Sequence, residues 1–322
     1  MDNYCLKKNQ YANDNGSLNV KTILTTLDTY GFVVLEEYYT KQQANKWRHS
    51  IVSWLKRIIP NLEDSEWTSF NTPYGPRFGM FQSIIGHCPT IWEIREDSYN
   101  IFRQLLSCDK LLTSIDGATV CPITTRKVKD WPHIDQTRDD IKCIQGQVVL
   151  TDTTACFRCT PFSNHKHKEI IQLCNKEGDK TNWLKFSDRQ TNDIKKLFPP
   201  EQWQIPIYSK KGSVILWRST LIHSSQRHVK NIENDDWRCV VYVCMRPESE
   251  FTKRNKTTLR NAALNGRMTN HWGTKTFPKN VGGGAFTTKK CETVMKLSHD
   301  LKQLVIEKYS PLLKKLTAQE EW

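Results

Sequence analysis

The chain lacks any apolar run long enough to span a bilayer, and its opening MDNYCLKKNQYANDNGS has acidic and amide residues where a secretory signal needs an apolar core. The expectation is a soluble, intracellular protein, cytoplasmic and without a membrane span. No internal repeat of solenoid type is present, which excludes a stacked-repeat architecture. No RNA- or DNA-binding signature accompanies the basic residues. The eleven cysteines are odd in number and irregularly spaced, so they do not describe a disulfide framework and read as mostly reduced, buried thiols.

What is there is enough for a substantial core: 322 residues, 38% hydrophobic, sufficient for one large domain or two. The net charge of +13 favours an anionic partner such as a nucleic acid, a phosphorylated metabolite or a coenzyme A ester, without choosing among them. Most of it is local. Residues 251–322 hold 14 Lys and Arg against 5 Asp and Glu, which is +9 of the +13. A solvated basic surface is the simpler reading of this tail; an anionic ligand or a nucleic acid bound through it is the alternative.

Three textures divide the chain. After a polar leader (1–20), YGFVVLEEYY (Tyr30 to Tyr39) reads as a strand, and Thr40 with Gln43 has the capping-box pattern ahead of a helix with apolar Trp47, Ile51, Trp54, Leu55 and Ile58. A second helix is expected over Ile91 to Ser107. From about Ile115 to Arg246, the segments QGQVVLT, ACFRCTPF, WQIPIYS, GSVILWRS and CVVYVCM read as short strands, the pattern of a sandwich or barrel. Lys166 to Pro199 is more polar and reads as a helical or looped insertion. The last part (251–322) combines a Gly-rich linker, KNVGGGAFTTKK, with an amphipathic helix carrying Val294, Leu297, Leu301, Leu304, Val305 and Tyr309, expected to pack on the body. Residues 21–250 then form the main domain.

Within that domain, KDWPHIDQT places His133 and Asp135 two apart, on one face of a strand, where they could grip one ion. The best third ligand among nine histidines is His223, at the end of the apolar strand in KKGSVILWRSTLIHSSQRH. Two neutral imidazoles and one carboxylate on one face of Fe(II) leave three adjacent positions open. A dicarboxylate co-substrate needs a fixed, always-charged fork, which Arg238 can offer from the next strand, and Ser225 can add a hydroxyl on the side of His223.

Three of these segments, WPHIDQ, GSVILWRSTLIHSS and WRCVVYVCMRP, resemble the metal-ligand, distal-histidine and arginine segments of the phytanoyl-CoA dioxygenase (PhyH-like) family of Fe(II)/2-oxoglutarate oxygenases. TPFSNHKH resembles that family's strand-end turn, without its usual glycine, so a differently shaped turn is expected. The resemblance spans about Tyr30 to Phe277 and implies a mostly β fold with helices: a double-stranded β-helix (jelly-roll, cupin-like) core, N-terminal helices packed on it and a C-terminal helical extension. It implies His133, Asp135 and His223 as iron ligands, Arg238 and Ser225 on 2-oxoglutarate, and O2 as the oxidant. The aspartate implies hydroxylation, since halogenating members carry a small residue there. The substrate is expected to be a small molecule.

Other readings stay open at this level. Cys156, Cys159, His165 and His167 make a Cys-x2-Cys followed by two histidines, but those are spaced too closely for a zinc finger. Trp131 and Gln136 flank the ligands; Gln145 and Gln147 share a face that lines the barrel or meets solvent; Arg218 is a weak anion site; His228 reads as a loop residue. An oxygenase acting on nucleic acid or protein, or a non-catalytic jelly-roll binding module, are the competing functions.

Overall fold

In the computed structural model, described for residues 3–58, 80–81, 85–121, 131–181, 183–225, 238–277 and 309–322, the chain forms two compact units. One comprises Met1–Lys41 and Ile123–Arg238, the other Gln42–Pro122 and Cys239–Trp322. Both mix helices with sheets that are mainly antiparallel. No helix among the described residues is long and apolar enough to cross a membrane.

In the first unit, Asn19 caps the helix Val20–Tyr30 by accepting from the Thr22 amide at 3.2 Å, which satisfies a donor that the helix itself leaves unpaired. Ile23 and Leu27, four apart, face inward, and Gly31 ends the helix in the left-handed conformation. The apolar run Phe32–Leu35 then enters as a wholly buried strand between Cys5–Leu6, parallel to it, and Val214–Arg218, antiparallel. Val214–Arg218 also pairs with Ile144–Val149. A second sheet runs in the order Ile205–Ile207, Phe157–Cys159, His223–Ser225, His133–Ile134, Leu184–Lys185, antiparallel throughout. Residues 1–20, read as a polar leader, contribute the strand Cys5–Leu6 and the helix Lys8–Tyr11, whose Tyr11 is buried. The Lys166 to Pro199 insertion holds the helices His167–Leu173 and Asp188–Lys195 around Leu184–Lys185.

The turn into Val214–Arg218 depends on Gly212. It has φ of 87° and its carbonyl accepts from the Tyr39 amide at 2.9 Å; an added Cβ would lie 2.2 Å from the Tyr39 carbonyl oxygen. Gly212→Ala is therefore expected to lower stability by more than about 1 kcal/mol, read as a lower urea midpoint, because both the backbone conformation and the space exclude a methyl group.

In the second unit, the helix Lys41–Ile58 buries Trp47, Ile51, Trp54 and Leu55, the stripe its 3.6-residue spacing predicts. The helix Pro89–Leu105 buries Ile91, Ile94, Ile101 and Phe102. Strand Arg238–Pro247, all but its first residue in this unit, pairs with Leu111–Thr113 and neighbours Ala118–Cys121, which pairs with Met80–Phe81. The Gly-rich linker and most of the expected amphipathic helix lie outside the described residues; the described end is a short helix, Pro311–Leu316, with Leu313 and Leu316 buried.

His87, fully buried here, has Nε2 2.8 Å from the Arg267 carbonyl, and burial pushes its pKa from 6.5 down to about 4. Between those values the unfolded chain binds a proton that the folded chain refuses. Acidification from about pH 7 to about pH 4 should then cost on the order of 3 kcal/mol through this residue. Urea unfolding at both pH values should show a shallower loss in His87→Gln; equal losses would contradict the assignment.

Candidate metal centre

Alternation along two short strands builds the centre. His133 and His223 are Cα partners in an antiparallel pair, so their side chains project from the same face, ring centroids 4.2 Å apart. Their chain neighbours point the other way: Ile134 and Ile222 enter an apolar cluster with Ile170, Leu184 and Phe186. Burying such side chains stabilises by about 1.5–3 kcal/mol each, so the apolar face holds the histidine face in register. Asp135 follows at the end of the same segment, its amide donating to the Ser219 carbonyl at 2.9 Å.

One ligand-capable atom from each of His133, Asp135 and His223 lies within 4.8 Å of the other two, and all three residues are buried. The Nε2 atoms stand 3.7 Å (His133) and 3.3 Å (His223) from Asp135 carboxylate oxygens. Each Nδ1 lies against a backbone carbonyl two residues earlier, Trp131 O at 3.1 Å and Leu221 O at 2.9 Å. A carbonyl only accepts, so each Nδ1 carries the proton that it donates. In the neutral rings Nε2 therefore keeps its lone pair, aimed at the carboxylate. Three lone-pair-bearing groups converging in a buried space repel one another, and a cation among them turns that repulsion into attraction. With metal bonds of about 2.0–2.2 Å, ligand atoms on one ion are at most about 4.4 Å apart, and each imidazole stands within that reach of one carboxylate oxygen, His133 of Oδ1 and His223 of Oδ2.

The surrounding rings fix the imidazole planes. Trp131 stacks on His133 at 4.5 Å and 8°, while Phe157 and Trp217 lie 5.7 and 5.5 Å from His223. Trp183 stands 6.4 Å from His133 and is 47% exposed, an aromatic side chain at the edge of the site that sequence reading passed over. Its segment is tied to the ligand segment by Thr137, whose hydroxyl donates to the Asp179 and Thr181 carbonyls.

Ser225 is two residues beyond His223 on one strand and shares its face; Ser224, between them, points away and bonds the Gln204 side chain. Arg238 is 4% exposed. Its Nε has no hydrogen-bond partner, and it makes no ion pair among the described residues. Its charge reaches the Cys156 thiol, which burial nevertheless pushes up to about 11. Cys156 precedes Phe157, the Cα partner of Ser225.

The remaining candidates separate. Gln145 donates through Nε2 to Asp135 Oδ2 at 3.0 Å and to Ser219 Oγ at 3.1 Å. Gln147, on the same strand face, is buried with its Oε1 unpartnered. Gln136 turns to the Arg138 and Ile141 carbonyls, and shapes its own loop. Arg218 is paired with Asp28, Nη2 to Oδ1 2.5 Å, and so is no anion site. The zinc alternative does not assemble: His165 and His167 lie against the Thr29 and Gln136 carbonyls, and the cysteines are free thiols. The Thr160 to His167 turn is made by Phe162 at φ of 66°, standing in the conformation a glycine would take. His228 lies outside the described residues.

No protein-family model and no curated protein matches the sequence. Among solved structures, the chain is similar in fold to the hypothetical protein JW0805 at high pH from Escherichia coli, with TM-score 0.60 and 12% identity over 98% of this chain and 84% of that one. It is also similar to GlcNAc Inducible Gene 2, GIG2 (DUF1479), from Candida albicans, with TM-score 0.58 and 13% identity over 98% and 83%. At these identities the likeness is one of fold alone.

Proposed function

We propose that the chain is a PhyH-like Fe(II)/2-oxoglutarate-dependent oxygenase, built on a double-stranded β-helix, that hydroxylates a small-molecule substrate. The overall reaction balances as 2-oxoglutarate, O2 and R–H giving succinate, CO2 and R–OH. The convergence of two imidazole Nε2 atoms and one carboxylate, all buried, carries this reading. Iron, when bound, supplies the redox chemistry of oxygen.

The chain's own residues do the rest. His133 and His223 present their lone pairs because backbone carbonyls hold their Nδ1 protons. Asp135 supplies a single negative charge, so a dication held here stays net positive and attracts a dicarboxylate. Arg238 and Ser225 receive the distal carboxylate, and a buried arginine whose Nε has no hydrogen-bond partner is relieved when an anion meets it. The rings of Trp131, Phe157 and Trp217 keep water from the imidazoles.

Anaerobic titration with Fe(II) and then 2-oxoglutarate tests the reading through the visible charge-transfer band of the chelate. A saturable band is expected. A folded protein without one would instead favour the binding-module alternative.

A further inference from the structure

We propose that Trp183 is a specificity-determining residue of this site: it stacks on the substrate, which presents a flat ring. This rests on the iron-site reading above and narrows the class of molecule that the site takes. Among the described residues, four aromatic rings besides the imidazoles themselves stand against His133 and His223, and burial divides them. Trp131, Phe157 and Trp217 are 8%, 3% and 3% exposed, so they close the sides they cover. Trp183, 6.4 Å from His133 and tilted 53° to it, is 47% exposed, so on its side the wall is open to solvent.

The indole is fixed at its root. His133 and Ile134 pair with Lys185 and Leu184, and the Thr137 amide donates to the Thr181 carbonyl at 3.1 Å in the same antiparallel register. Trp183 therefore stands across from Asp135 between two bonded points. Leu184 and Phe186 enter the apolar cluster, so alternation turns Trp183 to the other face, that of His133. A cluster that would bury the indole lies one residue away along its own strand, and register holds the ring on the ligand side instead.

An indole face pairs with another ring in offset-stacked geometry or accepts a cation. A cation would have to shed its water among apolar rings and approach a bound dication, whereas a flat ring gains contact with the indole without that cost. A ring stacked on Trp183 lies at the ligand face of the sheet, beside His133. The substrate of this site is therefore a molecule with a planar, uncharged ring.

The test is calorimetric titration of the anaerobic Fe(II)–2-oxoglutarate form of the full chain with naphthalene-2-methanol and with its saturated counterpart, decahydronaphthalene-2-methanol. The chelate band, measured first, shows in each variant that the centre has formed. The flat probe is expected to bind about 5- to 10-fold more tightly than the saturated one. Trp183→Ala should weaken it about 10- to 100-fold. Trp183→Phe, which keeps a flat ring, should recover most of that affinity; Trp183→Leu, equally apolar, should recover little and bring the two probes level. A merely space-filling tryptophan would not separate phenylalanine from leucine. Tyr208→Leu removes another exposed ring, next to Ile205–Ile207 at the opposite edge of the same sheet, and should leave both affinities native. Equal affinity for the two probes, no binding of either, tighter binding of tetramethylammonium, or a preference that survives Trp183→Leu would each overturn the proposal. An unaltered protein without a chelate band would overturn the iron-site reading and this inference with it, whereas a normal band without ring selectivity overturns this inference alone.

Discussion

Asp135→Ala is expected to abolish saturable Fe(II) binding and all 2-oxoglutarate-dependent succinate release, while the protein stays folded. The carboxylate is the only negative charge among the three converging groups. Two neutral imidazoles alone hold a dication weakly, so the loss should exceed 100-fold in metal affinity, well beyond the 10- to 100-fold typical of residues that act through a ligand. His133→Ala should abolish the chelate band as well, for loss of a lone pair instead of a charge. Because metal binds only the folded state, Mn(II) at about 1,000 times its Kd should stabilise the native protein by about 4 kcal/mol and leave both variants unchanged. Succinate release at the native rate in either variant would sink the assignment of these ligands.

Arg238→Met is expected to separate stability from affinity. In the free protein the guanidinium is buried, with an unpartnered Nε, so an apolar side chain of similar length should be neutral or stabilising toward urea. With 2-oxoglutarate the sign reverses. Removing one member of a buried charge pair costs about 2–5 kcal/mol, so the Kd for 2-oxoglutarate should rise at least 30-fold while that for Fe(II) holds. Arg238→Lys should recover little, because an ammonium lacks the two-pronged fork that fits a carboxylate. Titration of the chelate band with 2-oxoglutarate reads this directly; an unchanged Kd would remove Arg238 from the site.

Much of the local structure was legible because it is written in short periods. The helix Lys41–Ile58 follows from apolar residues at helical spacing, and the strands Ile144–Val149 and Val214–Arg218 from short alternating or apolar runs broken by turn residues. The shared face of His133 and Asp135 follows from a period of two. The strand Leu184–Lys185 is too short to show any period, and the helix Val20–Tyr30 has a buried stripe of only Ile23, Thr26 and Leu27.

What the sequence by itself determined is therefore which residues alternate, which faces are apolar, and that His133 and Asp135 stand two apart on one face, with His223, Ser225 and Arg238 only expected beside them. Only the tertiary structure decided their company. His223 meets His133 across 90 residues because antiparallel register makes them Cα partners. Gln145 and Gln147 are indistinguishable along the chain, yet the fold sets a carboxylate beside one and leaves the Oε1 of the other unpartnered. Arg218 is consumed by Asp28, 190 residues away. The physical reason is common to all three: hydrogen bonds and charge pairs act over a few ångströms of space, and that distance is set by strand pairing between segments far apart in sequence.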